Sequence, residues 1–174
     1  MPRNIEIKAR IHSVDGLLPV ARALADGDVV AIDQHDTFFH VPHGRLKLRA
    51  FADGSAELIH YHRPDTAAPK ASDYVRVPIA DADAAALREA LARGCGVIGH
   101  VRKRRLLLLV GQTRVHLDRV EGLGDFIELE VVLHEGQSDD GGRVIAEQLM
   151  QRLGLADAPR LAGAYLDLGR AGAR

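Results

Sequence analysis

The segment NIEIKARI, residues 4–11, decides the fold because its side chains alternate strictly between polar and apolar. A period of two is typical of a β-strand that has one face on an apolar core. The polar face of this strand consists of Asn4, Glu6, Lys8 and Arg10. Residues 45–50, RLKLRA, repeat the alternation with a polar face of Arg45, Lys47 and Arg49. The chain therefore contains two strands that each present a wholly polar face.

The same alternation continues along the chain. It predicts four more strands, at residues 57–63, 100–110, 113–120 and 126–133. In the last of these, Glu128 and Glu130 share one face. Helical periodicity predicts three helices, at residues 15–25, 81–93 and 140–153. Strands in hairpins with interspersed helices indicate an α+β class with a mainly antiparallel sheet, and this many amphipathic strands could close into a barrel.

Local signals predict where these elements begin and end. Asp81 is expected to cap the second helix and Gly94 to stop it in a left-handed conformation. Pro19 is tolerable only in or near the first turn of the first helix. Residues 63–72, which contain two prolines, are predicted to be a loop.

Composition limits the classes of function. The 174 residues fit one compact domain, and 23 Lys and Arg against 24 Asp and Glu leave a net charge of −1. This total argues against nucleic acid and against an anionic membrane as partners. The lone Cys95 excludes an internal disulfide and favours a reducing compartment. Because no apolar run reaches about 18 residues, we expect no spanning helix and a cytoplasmic location.

The near-zero net charge conceals a segregation of charge. Residues 102–119 carry seven basic groups, with His116 counted, and one acid, Asp118, whereas residues 121–140 carry seven acids and no Lys or Arg. For any single strand, a solvated outer face is the simpler explanation. For the whole set, like charges on one face repel unless a ligand or another strand compensates them. A barrel with a charged interior would gather the basic faces around a polyanion such as a chain of phosphates, and the glutamates around a hard divalent cation.

Several blocks of the sequence, in order, resemble the CYTH superfamily, the triphosphate tunnel metalloenzymes. NIEIKAR at 4–10 resembles the Glu-x-Glu-x-Lys signature of that family, GRLKLR at 44–49 its arginine-rich second strand, and VRKRR at 101–105 its Lys-x-Arg strand. LIHYHRPD at 58–65 is similar to its third strand and the following loop. Residues 116–130, HLDRVEGLGDFIELE, and 164–168, AYLDL, are similar to stretches of the class IV adenylate cyclase branch.

The resemblance implies one CYTH-type domain over residues 1–174, folded as a closed antiparallel eight-stranded β-barrel with flanking helices around a triphosphate tunnel. It implies that Mg²⁺ or Mn²⁺ is bound by Glu6, Glu128 and Glu130, with Asn4 as a further candidate ligand. It places Lys8 and Asp118 at catalytic positions. The substrate-binding positions that it implies are Lys8, Arg10, Arg45, Lys47, Arg49, Arg63, Lys103 and Arg105. A homodimer is implied as well.

Three functions stay open at this point. The first, which the block GLGDF at 122–126 favours by its resemblance to the cyclase branch, is a class IV adenylate cyclase-like phosphorus–oxygen lyase that converts ATP to cyclic AMP and pyrophosphate. The second is a triphosphatase that hydrolyses tripolyphosphate, thiamine triphosphate or a nucleotide, and the third is a non-catalytic module that binds a triphosphate. One barrel can serve all three, so the fold alone does not decide between them.

Two departures from the family pattern bear on this choice. Asn4 replaces the first glutamate of the signature, so it offers an amide oxygen without a charge. His62 stands where some cyclases of this branch carry a lysine. Both departures favour a hydrolase or a weak activity. Tyr165 is interpreted either as a core aromatic or as a lid on the tunnel, and the histidines at 40, 43, 60 and 62 as surface or hydrogen-bonded side chains rather than zinc ligands.

Overall fold

A computed structural model describes residues 3–62 and 70–172. The strands are β1 (Arg3–Arg10), β2 (Val30–Phe39), β3 (Arg45–Phe51), β4 (Ala56–His62), β5 (Lys70–Ile79), β6 (Val97–Val110), β7 (Thr113–Val120) and β8 (Gly124–Val132). The helices are α1 (Val14–Leu24), α2 (Asp81–Cys95), α3 (Asp139–Arg152) and α4 (Tyr165–Gly172). None of the helices in this part of the chain is long and apolar enough to cross a membrane.

The eight strands form one curled antiparallel sheet in the order β1-β5-β4-β3-β2-β6-β7-β8. The ends of this order meet because β1 pairs with β8 over residues 4–10 and with β5 over residues 3–6. The seam between β1 and β5 is therefore only four residue pairs long, and closure is confined to one half of β1 among the described residues. The predicted α+β class with eight antiparallel strands and flanking helices is confirmed, and the closure of the barrel depends on this short seam.

The apolar core lies outside the barrel, between the sheet and the helices. Outward-facing residues of β1, β6, β7 and β8 pack under α1 and α3, with Ile7, Leu117 and Leu129 fully buried. On the opposite side, α2 covers a smaller cluster around Phe39 and Leu48 of β2 and β3. Because the core side of each strand is apolar, the alternation of the sequence directs the polar side chains inward.

Several sequence-based boundaries need correction. Ala80, not Asp81, precedes α2 and makes no side-chain cap, and the helix runs through Gly94 to end at Gly96, whose φ is 77°. Gly96 stops the helix because its φ of 77° and ψ of 150° suit glycine alone, whereas Gly94 lies within the helix. Pro19 lies in the second turn of α1, where it removes one intrahelical hydrogen bond from a helix held by its packing on the sheet.

Three elements were not predicted. Strand β2 was missed, β5 begins inside the predicted loop 63–72, and α4 follows a bend at Gly163, whose φ is 75°. For the strands that were predicted from alternation, the predicted ends lie within a few residues of the observed ends.

The packing of α3 on the sheet predicts a contrast between two neighbouring glycines. A methyl group at Gly142 would lie 2.6 Å from both Ile5 Cγ1 and Leu133 Cδ2, whereas one at Gly141 would lie 3.4 Å from its nearest neighbour, Ser138 Oγ. We expect Gly142→Ala to lower the free energy of unfolding by about 1–3 kcal/mol through overpacking. Gly141→Ala should leave it unchanged or raise it, because alanine favours the helix. Urea unfolding of both variants measures this, and equal effects would contradict the packing.

Candidate active site

The inward-facing side chains of the strands enclose a cavity of about 360 Å³. Its lining is unusually rich in charge for the interior of a barrel. The cationic residues that line it are Lys8, Lys47, Arg49, Arg76, Lys103, Arg105 and Arg114. The acidic residues that line it are Glu6, Asp36, Glu57, Glu128 and Glu130. Seven cationic side chains therefore share this lining with five acidic ones, and a bound anion would neutralise the excess of positive charge.

One end of the cavity is filled by an apolar plug, the cluster of Phe38, Val101, Phe126, Tyr165 and Leu166. All five side chains are buried, and the Tyr165 and Phe126 rings lie 4.9 Å apart. Tyr165 stands at the first turn of α4, so the C-terminal segment closes this plugged end. The residues at the other, open end, such as Ile32 and Arg114, are partly exposed. Tyr165 thus serves both roles that the sequence left open, as a core aromatic and as a lid.

Asp118 of β7 holds two cations of the neighbouring strand β6. Arg105, directly opposite it in the strand register, donates from Nε and NH2 to the two carboxylate oxygens at 2.7 Å each. Lys103 Nζ donates to the same carboxylate at 2.9 Å, and so does the Tyr165 hydroxyl at 2.9 Å. Burial alone would raise the pKa of Asp118, but Arg105 and Lys103 outweigh it and hold that pKa well below its usual range. Asp118 is therefore a charged group, and each of its two oxygens already accepts at least one hydrogen bond.

Asp36 of β2 repeats this arrangement with the neighbouring strand β3. Arg49, directly opposite it, donates from Nε at 2.8 Å and from NH2 at 2.9 Å, and Lys47 Nζ donates at 2.8 Å. Here too burial would raise the pKa of the carboxyl, while Arg49 and Lys47 keep it far below its ordinary value. In both pairs a Lys-x-Arg strand is clamped by an aspartate on the adjacent strand. The two aspartates fix four cationic heads at defined places in the wall.

The lysines of these clamps are less basic than usual. Burial, with the adjacent Arg105, lowers the pKa of Lys103 to about 7. Burial, with the adjacent Arg49, lowers the pKa of Lys47 to about 8. Near pH 8 both ammonium groups are therefore partly deprotonated, and a bound polyanion would draw protons onto them.

Three carboxylates converge on the wall formed by β1 and β8. Oxygens of Glu6, Glu128 and Glu130 all lie within 4.8 Å of one another, and Glu6 faces Glu130 directly in the strand register. Lys8 Nζ lies 3.8 Å from Glu128, and Arg105 NH2 lies 3.2 Å from it. Three oxygen donors this close to one another suit a hard divalent cation such as Mg²⁺ or Mn²⁺.

Two neutral atoms beside these carboxylates point to the same kind of ligand. Asn4 Oδ1 is buried and has no hydrogen-bond partner in the described part of the chain, and neither has His116 Nδ1. His116 Nδ1 lies 3.8 Å from Glu130 Oε1, and burial, together with Arg105, lowers the pKa of His116 to about 4, so its ring is neutral. An unpaired amide oxygen in this place fits a hard cation, which agrees with Asn4 as a candidate ligand.

The family model of the CYTH domain matches residues 2–165. The chain belongs to the CYTH domain family. It is 30% identical over 165 residues to the adenylate cyclase CyaB of Aeromonas hydrophila, across 89% of this chain and 82% of that protein. The family predicted from the sequence is confirmed, and this relative supports the class IV adenylate cyclase branch.

Solved structures share the fold of this CYTH domain. The PH1012 protein of Pyrococcus horikoshii has a TM-score of 0.83 at 24% identity, over 95% of this chain and 98% of that one. The HpAC1 protein of Hippeastrum, named an adenylyl cyclase with a dominant triphosphatase activity, has a TM-score of 0.70 at 16% identity, over 99% and 96%. At these sequence identities, the two similarities establish a shared fold and nothing about function.

The CYTH fold brings most of the predicted site residues together. Lys8, Lys47, Arg49, Lys103 and Arg105 line one cavity with Asn4 and the three glutamates. Arg10 lies outside the cavity lining, because its guanidinium stacks on Phe126 and donates to the carbonyl of Leu123. Arg45 also lies outside, paired with Asp167 at 2.8 Å. Arg63 lies outside the described residues.

Other residues that line the cavity were not predicted from the sequence. Asp36 and Gln34 belong to β2 and Arg76 to β5, the two strands that alternation did not reveal. Arg114 and His116 alternate with Asp118 on β7, and that spacing could have placed them on the same inner face.

The aspartate clamp and the glutamate cluster predict effects of different size on stability. Asp118→Asn leaves Lys103 and Arg105 buried without their counter-charge, and we expect a loss of about 3–5 kcal/mol in the free energy of unfolding. Glu130→Gln relieves repulsion from Glu6 and Glu128 but weakens the partly exposed pair with Arg114 at 3.2 Å, so it should change stability by less than about 1 kcal/mol. Denaturant unfolding of the two variants measures the contrast. A similar loss in both would show that the glutamates also stabilise the fold.

The lowered lysine pKa values predict a proton uptake. At pH 8, binding of tripolyphosphate should draw about one proton onto Lys103 and Lys47, because a polyanion raises the pKa of a nearby ammonium. Calorimetric titration in buffers of different ionisation enthalpy measures this uptake. Lys103→Met should take up fewer protons, and the difference between the two proteins cancels the protonation of the ligand itself. Identical uptake by both would contradict the lowered pKa of Lys103.

Proposed function

We propose that this CYTH domain is a divalent-metal-dependent enzyme that acts on a triphosphate, as an adenylate cyclase that converts ATP to cyclic AMP and pyrophosphate. One observation carries the proposal. Five cationic side chains, Lys8, Lys47, Arg49, Lys103 and Arg105, converge with a cluster of three glutamates in one cavity that is plugged at one end. A chain of phosphates complements the cations, and a metal ion complements the glutamates.

The cations bind and orient the phosphates. Arg49 and Arg105 are held by Asp36 and Asp118 through paired hydrogen bonds from Nε and NH2, and their NH1 groups are the donors for phosphate oxygens. Lys8 Nζ lies 4.1 Å from the centre of the Tyr165 ring, at the plugged end. We assign Lys8 to the phosphates as a catalytic residue that neutralises developing charge. Asp118 acts instead as a positioning residue, since its oxygens are already engaged.

Glu6, Glu128 and Glu130, with Asn4, would hold Mg²⁺ or Mn²⁺ at the wall of β1 and β8. A bound divalent cation neutralises phosphate charge and makes the phosphorus easier to attack. In the cyclase reaction the ribose 3′-hydroxyl loses its proton to water and its oxygen forms a bond to the α-phosphorus, while the bond from that phosphorus to the bridging oxygen breaks and pyrophosphate leaves. The fixed cations supply most of the acceleration, because phosphoryl chemistry depends on positioning and charge stabilisation.

The cyclase is favoured by the similarity to CyaB along most of both chains. The second candidate is a triphosphatase, in which water attacks a terminal phosphorus in the same cavity. Asn4 favours it, since the cluster has one charge fewer than the Glu-x-Glu signature supplies. The Hippeastrum protein of the same fold carries both names. The homodimer and the cytoplasmic location stay predictions.

A product assay separates these functions. The purified protein is incubated with Mg²⁺ or Mn²⁺ and with ATP, tripolyphosphate or thiamine triphosphate. We expect cyclic AMP and pyrophosphate from ATP; release of orthophosphate would favour the triphosphatase instead. Tight binding that survives EDTA without any product would contradict both enzymes and leave a binding module.

The metal assignment is tested with a pair of variants. Glu128→Gln should lower turnover by about 100-fold or more, because it removes a charged ligand from the cluster. The matched control is Glu135→Gln, an exposed glutamate in the turn after β8, which should keep its activity. Unchanged turnover in Glu128→Gln would contradict the metal site.

A further inference from the structure

Three polar side chains alternate along the inner face of β7, namely Arg114, His116 and Asp118. Asp118 accepts hydrogen bonds from Arg105, and Arg114 NH1 donates to Glu130 Oε2 at 3.2 Å. His116, between these two residues, is 4% exposed and lines the cavity. Its Nδ1 is buried and has no hydrogen-bond partner in the part of the chain that the structure describes. Buried polar atoms are normally paired, so this nitrogen indicates a partner other than the described residues.

The neighbours of this nitrogen on the adjacent strand are acidic. Glu128 lies directly opposite His116 in the strand register, and Glu130 Oε1 lies 3.8 Å from His116 Nδ1, which is too far for a hydrogen bond. A phosphate oxygen is repelled by two carboxylates at this point, because it carries charge of the same sign. A cation is attracted by both carboxylates and accepts the lone pair of a ring nitrogen. A cation is therefore the partner that fits Nδ1.

The distance between His116 and Glu130 suits two ligands of one ion. Ligand atoms at about 2.1 Å from an octahedral cation lie about 3 Å apart when they are neighbours and about 4.2 Å apart when they are opposite. The 3.8 Å between Nδ1 and Oε1 falls between these limits. Glu130 gives its other oxygen, Oε2, to Arg114, so Oε1 is the oxygen that remains for the cation. His116 thus joins the glutamate cluster through Glu130.

A nitrogen ligand changes which cation the cluster prefers. Mg²⁺ is bound in proteins through oxygen, whereas first-row transition metal ions also accept imidazole nitrogen. The three glutamates and Asn4 supply oxygen alone. Among the described residues that line the cavity, His116 is the only histidine. Its presence therefore favours a transition metal ion over Mg²⁺.

We infer that His116 Nδ1 coordinates the same divalent cation as Glu130, and that this nitrogen makes the site select Mn²⁺ over Mg²⁺. This inference rests on the metal-dependent function proposed above and narrows its cofactor from two cations to one. It also gives a role to a buried side chain that neither the phosphates nor the aspartate clamps use.

The nitrogen ligand has a spectroscopic signature that needs no substrate. Mn²⁺ alone is added to the wild type, and electron spin-echo envelope modulation detects a nitrogen nucleus bound to it. We expect ¹⁴N modulation, and ¹⁵N-labelled histidine should replace it by ¹⁵N modulation. His116→Gln should lose the signal, whereas the matched control His12→Gln, at an exposed histidine outside the cavity lining, should keep it. Bound Mn²⁺ without nitrogen modulation in the wild type would overturn the inference and leave the proposed function standing.

The preference between the cations is measured by calorimetric titration with Mn²⁺ alone and with Mg²⁺ alone. His116→Gln replaces the nitrogen by an amide oxygen, so it should weaken Mn²⁺ binding by about tenfold and leave Mg²⁺ binding within about twofold. Retained Mg²⁺ binding also shows that the variant is folded, and should it fail to fold, the isotope exchange in the wild type still decides. Unchanged Mn²⁺ binding, or equal weakening of both cations in a folded variant, would overturn the inference. A wild type that binds neither cation would instead overturn the proposed function.

Discussion

The ion pair between Asp118 and Arg105 is the contact on which the interior of the barrel depends. It joins two adjacent strands through two hydrogen bonds of 2.7 Å, and the same carboxylate also takes Lys103 and the hydroxyl of Tyr165. One buried charge thus fixes a guanidinium, an ammonium and the aromatic ring of the plug. Asp36 does the same for Arg49 and Lys47 on the other wall. Without these carboxylates, four cations would face one another across a space shielded from water.

The barrel tolerates this interior because its stability comes from elsewhere. Most of its buried apolar residues lie on the outer face, under α1, α2 and α3, so much of the inner face is free to carry polar groups. The glutamate cluster is an example of polar groups that the inner face can carry. Three carboxylates within 4.8 Å of one another repel each other although cations lie beside them, and such an arrangement is typical of a site kept for binding.

Alternation in the sequence predicted which face a side chain occupies but not how deep in the barrel it lies. It placed Lys103 and Arg105 correctly on one inner face, yet Arg10 and Arg45 obey the same alternation and stand beyond the cavity, at strand ends. Strand β2 could not be found in this way, because each of its faces mixes polar and apolar residues, as Asp36 and Phe38 do on the inner one. The contacts of Asp36 with Arg49 and Lys47 could therefore not be predicted either. Among the residues that the structure describes, the buried Oε1 of Gln34 has no hydrogen-bond partner, and no sequence pattern could show this because it depends on three-dimensional packing.

The plug of Tyr165 and Phe126 has a consequence for the order of events. A cavity that is filled at one end admits its ligand by the other, so the part that enters first goes deepest and leaves last. A phosphate chain seated among Lys8 and Lys103 would stay behind a nucleotide product at the open end. The products would then leave in a fixed order, unless α4 moves away and opens the plugged end of the cavity.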